Sequence, residues 1–179
     1  MNEQEWLECT DPQAMLDFMS ERTSRRKIEL YTTGSYRLVW DLLSDERLRK
    51  KIEVRERYVD GLATEAEDNA AIDAAEAVPL QIQHDAWDAI PSARQVQLVR
   101  DIFGNPFRYV RVDPSWLKDR TVQKLAQDIY DERAFARLPI LGEALANAGC
   151  TNPDILTHCR QPAEHWRGCW LIDLLLAKE

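Results

Sequence analysis

The feature that most constrains this chain is the spacing of its apolar residues, which recur every three or four positions over long stretches. Ile28, Tyr31 and Leu38 follow this spacing in one segment, and the apolar residues within 122–130 follow it in another. Such spacing places apolar side chains on one face of an α-helix. The sequence therefore predicts an all-α protein, an irregular multi-helix bundle. One stretch, 107–112, allows a short strand or hairpin, although it is too short to define a sheet alone.

Helix starts are marked by capping residues placed directly before a proline. Asp11, Asp113 and Asn152 each have this position in the sequence. An Asp or Asn side chain accepts hydrogen bonds from the first free N–H groups of a helix, and proline is well suited to the first helical position. Thr64, followed three positions later by Glu67, matches a capping box. These four places are predicted helix N-termini.

The length of 179 residues suits one domain with a sizeable buried core. We expect a single helical domain over 1–179, in which 1–60 and 92–179 share one core because the apolar stripes of both blocks need partners. The segment 61–91 has seven acidic residues, no Lys or Arg, and many alanines. It is predicted to be an acidic, Ala-rich, exposed segment.

The distribution of charge bears on possible partners. The net charge is −8, yet the block 22–57 holds eleven basic residues against six acidic ones. Binding to nucleic acid requires Lys and Arg to replace the counterions of the phosphates, so the overall acidity argues against it. A weak nucleic-acid binder acting through 22–57 stays an alternative, while pairing of this block with acids of the same chain is the simpler interpretation.

The location of the chain is predicted from hydropathy and cysteine usage. No window approaches the run of about 18 apolar residues that a membrane-spanning helix requires, and the first ten residues are acidic rather than basic and apolar. The four cysteines are too few and too unevenly spaced for a disulfide framework. We therefore expect no membrane association, reduced thiols and a cytoplasmic protein.

The most distinctive loop candidate is the stretch DIFGNPFR at 101–108. As a recognition loop it would present Phe103, Asn105, Phe107 and Arg108. Aromatic residues and arginine are favoured at surfaces that bind a partner. The same order of residues is also typical of a helix end, with Gly104 in the left-handed cap position and the phenylalanines packed inward. Both interpretations stay open at the level of sequence.

A cluster of cysteines and histidines near the C-terminus is the one candidate metal site. Cys150, Cys159, His165 and Cys169 form a complete set of four ligand types that zinc accepts. The spacing matches no standard zinc finger, and cysteine is among the residue types most often buried. We therefore expect no cofactor and reduced thiols packed between the final helices, with a zinc site as the alternative.

Five motifs together give the chain a family resemblance. They are Glu5–Trp6–Leu7 with Asp11–Pro12, DIFGNPFR at 101–108, IYDERAF at 129–135, Leu138–Pro139–Ile140–Leu141, and His158–Cys159–Arg160 with Gly168–Cys169–Trp170. With these motifs the chain resembles a family of uncharacterised proteins abundant in planctomycete bacteria, and the resemblance covers most residues outside 61–91. It implies a bacterial protein and supplies neither a substrate nor a catalytic residue.

The sequence contains none of the strong catalytic signatures, such as a phosphate-binding glycine loop, HExxH, GxSxG or a CxxC pair. We therefore expect a non-enzymatic helical module that acts in protein interaction or regulation, with another protein as its partner. An enzyme of unknown reaction is the competing class.

Overall fold

The computed structural model describes residues 1–162 and 164–178, without the side chain of Gln83. The chain divides into two compact units, Met1–Arg100 and Asp101–Glu179. Each unit has its own packing, and the single domain predicted for 1–179 stays a prediction.

Helices account for nearly all regular structure, and the described residues contain no strand. The all-α prediction is therefore confirmed. Seven α-helices begin in the first unit: α1 (Glu3–Glu8), α2 (Pro12–Met19), α3 (Arg25–Arg37), α4 (Glu46–Tyr58), α5 (Glu65–Glu76), α6 (Leu80–Asp88) and α7 (Ser92–Phe103). The second unit adds α8 (Thr121–Glu132), α9 (Leu138–Asn147), α10 (Pro153–Arg160) and α11 (Trp170–Leu176). Short 3₁₀ turns lie at Trp40–Leu42, Pro114–Leu117 and Phe135–Arg137.

The residues predicted to cap helix N-termini do so in the structure. The side chains of Asp11 and Asn152 cap α2 and α10, and a proline occupies the first turn of both helices. Asp113 caps the 3₁₀ turn Pro114–Leu117 in the same way. Thr64 forms the expected reciprocal capping box with Glu67 at the start of α5.

The strand predicted as an option at 107–112 is absent from the structure. This stretch has no regular secondary structure and runs from α7 towards the turn at Pro114. An extended segment becomes a strand only when a second segment accepts its backbone hydrogen bonds. No other described segment supplies that partner, so the option is wrong.

In the first unit, two helices pack on α4. Both α3 and α5 lie against α4, and α6 contacts α3. Leu43, Leu48 and Ile52 form a buried cluster with Ala75 and Val78. The segment 61–91 is exposed along much of its length, but it also supplies part of this core.

A close contact joins α3 to α7 inside this unit. A Cβ atom built on Gly34 would lie 3.0 Å from Cδ1 of Leu98, which is fully buried. Gly34 therefore allows the approach of this side chain.

The second unit packs α8, α9, α10 and α11 around one apolar core. The contacts are α8 with α9 and α11, and α9 with α10. Ile129, Leu141, Leu145, Ile155 and Leu171 are fully buried at its centre. This core fixes the ends of α10 and α11, which carry residues of the candidate site.

None of the described helices has the length and apolar content needed to cross a bilayer.

Candidate metal centre

Four side chains of metal-ligating type meet in the second unit: Asp101, His158, His165 and Cys169. Each offers one ligand atom, and these atoms all lie within 4.8 Å of one another. Asp101 is in the last turn of α7, His158 is in α10, His165 lies in the link between α10 and α11, and Cys169 caps α11. The cluster therefore depends on the fold of this unit and not on a local motif.

The distances within the cluster are those of direct polar contacts. Nδ1 of His165 lies 2.6 Å from Oδ1 of Asp101, and Nε2 of His158 lies 3.5 Å from the same oxygen. Nε2 of His158 is also 3.0 Å from Sγ of Cys169. Asp101 Oδ1 and His158 Nε2 are thus the two atoms through which the cluster is connected.

The cluster is enclosed by protein. The side chains of Asp101 and His165 are each 4% exposed, that of His158 is 12% exposed, and Cys169 is fully buried. The backbone N–H of Trp166 donates a hydrogen bond of 2.9 Å to Oδ2 of Asp101. The carboxylate is therefore held in place by one oxygen while its other oxygen faces the imidazoles.

The proton positions on the histidines follow from their neighbours. A carboxylate only accepts, so Nδ1 of His165 donates to Asp101. On a neutral ring, Nε2 of His165 is then the acceptor, and this buried atom has no hydrogen-bond partner among the described residues. A buried polar atom without a partner costs about 1–3 kcal/mol, so this nitrogen needs an explanation.

His158 has the opposite arrangement. The indole N–H of Trp170 donates to Nδ1 of His158 at 3.2 Å, so the ring proton of neutral His158 lies on Nε2 and points into the cluster. Burial is the main influence on His158 and lowers its pKa to about 4, while Asp101 opposes this shift. His158 is therefore neutral at pH 7, the state in which imidazole binds metals.

The four residues that the sequence analysis named as the alternative zinc site are not the set that the structure brings together. His165 and Cys169 are in the cluster, whereas Cys150 and Cys159 lie in the apolar core of the second unit. Burial raises the pKa of the Cys150 thiol, and it raises that of Cys159 to about 12. The predicted burial of Cys150, Cys159 and Cys169 as free thiols is confirmed.

Asp101 and His158 take the two places that the sequence assigned to Cys150 and Cys159. His158 lies beside Cys159 in the sequence, but on α10 its ring points towards Cys169. Asp101 is 64 positions from His165 and gave no local signal. Only its place in the distinctive stretch DIFGNPFR marked that region.

A cleft of about 400 Å³ adjoins the cluster through His158. Its wall includes Trp170 and three of the four loop residues predicted to bind, Phe103, Asn105 and Arg108. Arg108 forms an ion pair of 2.8 Å with Asp154, which also lines the cleft. The loop prediction thus identified residues that lie together at one cavity.

Gly104 determines how close Trp170 comes to the loop. Its φ of +68° is the left-handed cap expected from the sequence. A Cβ atom at this position would lie 3.1 Å from Cγ of the Trp170 ring. Both the backbone and the ring that packs on it therefore favour glycine at this position.

Phe107, the fourth predicted binding residue, does not line the cleft. It is 40% exposed, and Tyr109, two positions later, is 83% exposed. The guanidinium of Arg111 lies 4.9 Å from the centre of the Tyr109 ring. The helix-end interpretation, in which both phenylalanines pack inward, is therefore wrong for Phe107, because this part of the loop turns outward.

The basic block 22–57 forms ion pairs inside the first unit. Arg37 binds Glu56 at 2.8 Å, and Arg55 binds Asp68 at 3.1 Å. Arg57 lies 3.7 Å from Glu67. Asp68 and Glu67 belong to the acidic segment 61–91, so these contacts support the interpretation that the two blocks pair within the chain.

The comparisons with known proteins supply no relative for this arrangement. No protein-family model, no curated protein and no solved structure matches the chain.

Proposed function

We propose that residues 101–178 bind one divalent transition-metal ion, zinc by the chemistry of the ligands, at Asp101, His158, His165 and Cys169. One observation carries this proposal: four donor atoms of ligand types that zinc accepts, on side chains no more than 12% exposed, lie within 4.8 Å of one another. One sulfur, two imidazole nitrogens and one carboxylate oxygen form a set typical of zinc.

The distances between the donor atoms support the same assignment. Zinc bonds of about 2.0–2.3 Å in a tetrahedron place neighbouring ligand atoms about 3.3–3.7 Å apart. The contact of 3.5 Å lies within this range, those of 2.6 and 3.0 Å are shorter, and no two of the four atoms are more than 4.8 Å apart. The ion would therefore enter with shifts of less than about 1 Å while replacing the hydrogen bonds that now connect the cluster.

The enclosure of the cluster favours a structural role over catalysis by Cys169. The Cys169 sulfur and the His158 ring are 3.0 Å apart, a distance suited to a nucleophile and its base. A nucleophile must also reach its substrate, and Cys169 is fully buried. We therefore interpret the metal as a connection between Asp101, α10 and α11 within this unit, which the metal would stabilise.

Zinc titration of the metal-free protein tests the proposal. The chain is treated with a chelator, and zinc is added in competition with a chromophoric chelator. We expect one zinc per chain, with affinity lowered about tenfold or more in His165→Gln and in Cys169→Ser. His84→Gln and Cys9→Ser change the same residue types outside the cluster and should leave the affinity unchanged.

Folding of the variants is checked without zinc by circular dichroism. A variant that keeps its helical signal but binds zinc as tightly as the unaltered chain would contradict the assignment. Equal loss in His84→Gln would contradict it as well.

We also propose that this module is non-enzymatic and acts through another protein in the cytoplasm. Exposed Phe107 and Tyr109 in one loop, with Arg108 and Arg111, supply residue types that dominate the energetics of protein interfaces. The free thiols support a reducing compartment. A partner that co-purifies in stoichiometric amount should be lost with Tyr109→Ser and retained with Leu80→Ser, which alters an exposed apolar residue elsewhere. Retention with both variants would contradict this role for the loop.

A further inference from the structure

The cleft and the cluster share one hydrogen bond. Nδ1 of His158 and Nε1 of Trp170 are 3.2 Å apart, and both residues line the cleft of about 400 Å³. The opposite ring nitrogen of His158 faces Cys169 and Asp101. His158 therefore has one nitrogen on the cluster side and one on the side of Trp170.

A metal on the cluster side changes what the cleft side offers. Without metal, the ring proton lies on Nε2, and Nδ1 accepts the indole N–H of Trp170. A metal on Nε2 needs the lone pair of that nitrogen, so the proton of the neutral ring moves to Nδ1. Two N–H donors, from His158 and Trp170, then face each other where one hydrogen bond was. Both require an acceptor, and the cleft that His158 and Trp170 line is the adjoining space that can hold one.

The charge of the metal ion also favours an acceptor in the cleft. A divalent ion adds two positive charges behind His158, and binding removes at most one proton from the Cys169 thiol. The cluster side thus becomes more positive by at least one unit. An acceptor that carries a negative charge gains more from this change than a neutral one.

The remaining wall of the cleft indicates the shape of the ligand. Phe103 and Trp170 supply aromatic surface, while Asn105 and Gln161 supply polar groups, and Arg108 and Asp154 form a charge pair. A volume of about 400 Å³ lies in the range typical of small-molecule sites. A planar organic acid matches an aromatic wall with two N–H donors.

We infer that this cleft binds a small aromatic carboxylate, and that a metal ion in the cluster strengthens the binding by turning His158 Nδ1 into a donor. The inference rests on the proposed metal site. Because coupling between two sites is reciprocal, the carboxylate also strengthens metal binding by the same factor.

Calorimetric titration of the full chain with benzoate tests the inference. We expect zinc-loaded protein to bind benzoate about tenfold or more tightly than metal-free protein. Benzamide, which has the same shape and no charge, should show a smaller ratio. Equal benzoate affinity with and without zinc, in a protein shown to hold zinc, would overturn the inference and leave the metal site standing.

A failure of the chain to bind zinc would overturn both proposals, whereas zinc binding without an effect on benzoate affinity would overturn only the inference. The two failures are therefore distinguishable.

Trp170→Phe removes the indole donor and keeps an aromatic ring in the wall. We expect this variant to lose most of the zinc-dependent gain, while Trp87→Phe in the first unit keeps it. An unchanged gain in folded Trp170→Phe would show benzoate binding elsewhere, including on the zinc itself, and would overturn the inference.

Nitrogen-15 NMR of the His158 ring reports the position of its proton and does not depend on benzoate. Zinc should move the ring proton from Nε2 to Nδ1, and the His158→Gln variant identifies the signal. A proton that stays on Nε2 in the zinc-loaded protein would overturn the mechanism proposed here.

Discussion

Trp170 donates its indole N–H to Nδ1 of His158 at 3.2 Å, and this contact connects a buried polar cluster to a solvent-accessible cleft. Nε2 of the same imidazole faces the thiol of Cys169 at 3.0 Å. The protein thus uses both nitrogens of one histidine, each in a different environment. Protonation or metal binding at one nitrogen therefore changes the hydrogen bonding of the other nitrogen.

The metal-free protein should lose stability in mild acid because of His158. Burial lowers the pKa of this side chain from 6.5 to about 4, so the unfolded chain takes up a proton between these pH values before the folded chain does. The contribution of neutral His158 to the free energy of unfolding is complete above pH 6.5 and is lost as the pH falls to about 4. Its full size is about 3 kcal/mol.

Denaturant unfolding in chelator at several pH values measures this loss. His158→Gln should show a smaller dependence between pH 6.5 and 4, and exposed His84→Gln should behave as the unaltered chain. An identical pH dependence in His158→Gln would show that His158 does not titrate as its burial predicts.

Gly104→Ala should destabilise the second unit by about 2 kcal/mol. A left-handed backbone costs an alanine about 1 kcal/mol, and the added Cβ would press on the Trp170 ring at 3.1 Å. Gly61→Ala is the matched control, since Gly61 has φ of +72° and nothing within 4 Å of its added Cβ. A larger cost and a larger change in tryptophan fluorescence are expected for Gly104→Ala. Equal effects of the two variants would contradict a role for the ring contact.

Arg55→Ala should cost the first unit about 3 kcal/mol. It leaves the carboxylate of Asp68, whose side chain is 5% exposed, without the guanidinium that lies 3.1 Å away. Arg57→Ala breaks the neighbouring pair with Glu67, in which both side chains are about half exposed, and should cost about 1 kcal/mol or less. Urea unfolding compares the two variants. A similar small loss in both would show that Asp68 is not held by Arg55.

The helices of this protein could be predicted from sequence because their causes are local. Asn152 followed by a proline identifies the start of α10, and the apolar stripe within 122–130 identifies α8. Capping and amphipathic spacing act within a few residues, so a linear pattern contains them. The segment 107–112 has strand-like residues, but a strand depends on a partner that no local pattern shows.

The metal ligands could be predicted only in part, for the opposite reason. His165 and Cys169 are close in sequence and were identified together. Asp101 comes from the end of another helix, 64 positions from His165, and its contribution depends on how the chain folds back. The cysteines Cys150 and Cys159 have suitable chemistry but lie in the apolar core, where burial favours the neutral thiol.

X-ray absorption at the zinc edge of the zinc-loaded protein tests the central claim most directly, because it counts sulfur ligands. The cluster of Asp101, His158, His165 and Cys169 predicts one sulfur at about 2.3 Å and three nitrogen or oxygen ligands at about 2.0–2.2 Å. The Cys9→Ser variant, changed outside the cluster, should give the same spectrum. Two or more sulfur ligands would indicate a site that includes Cys150 or Cys159 and would contradict the account, as would a chain that retains no zinc.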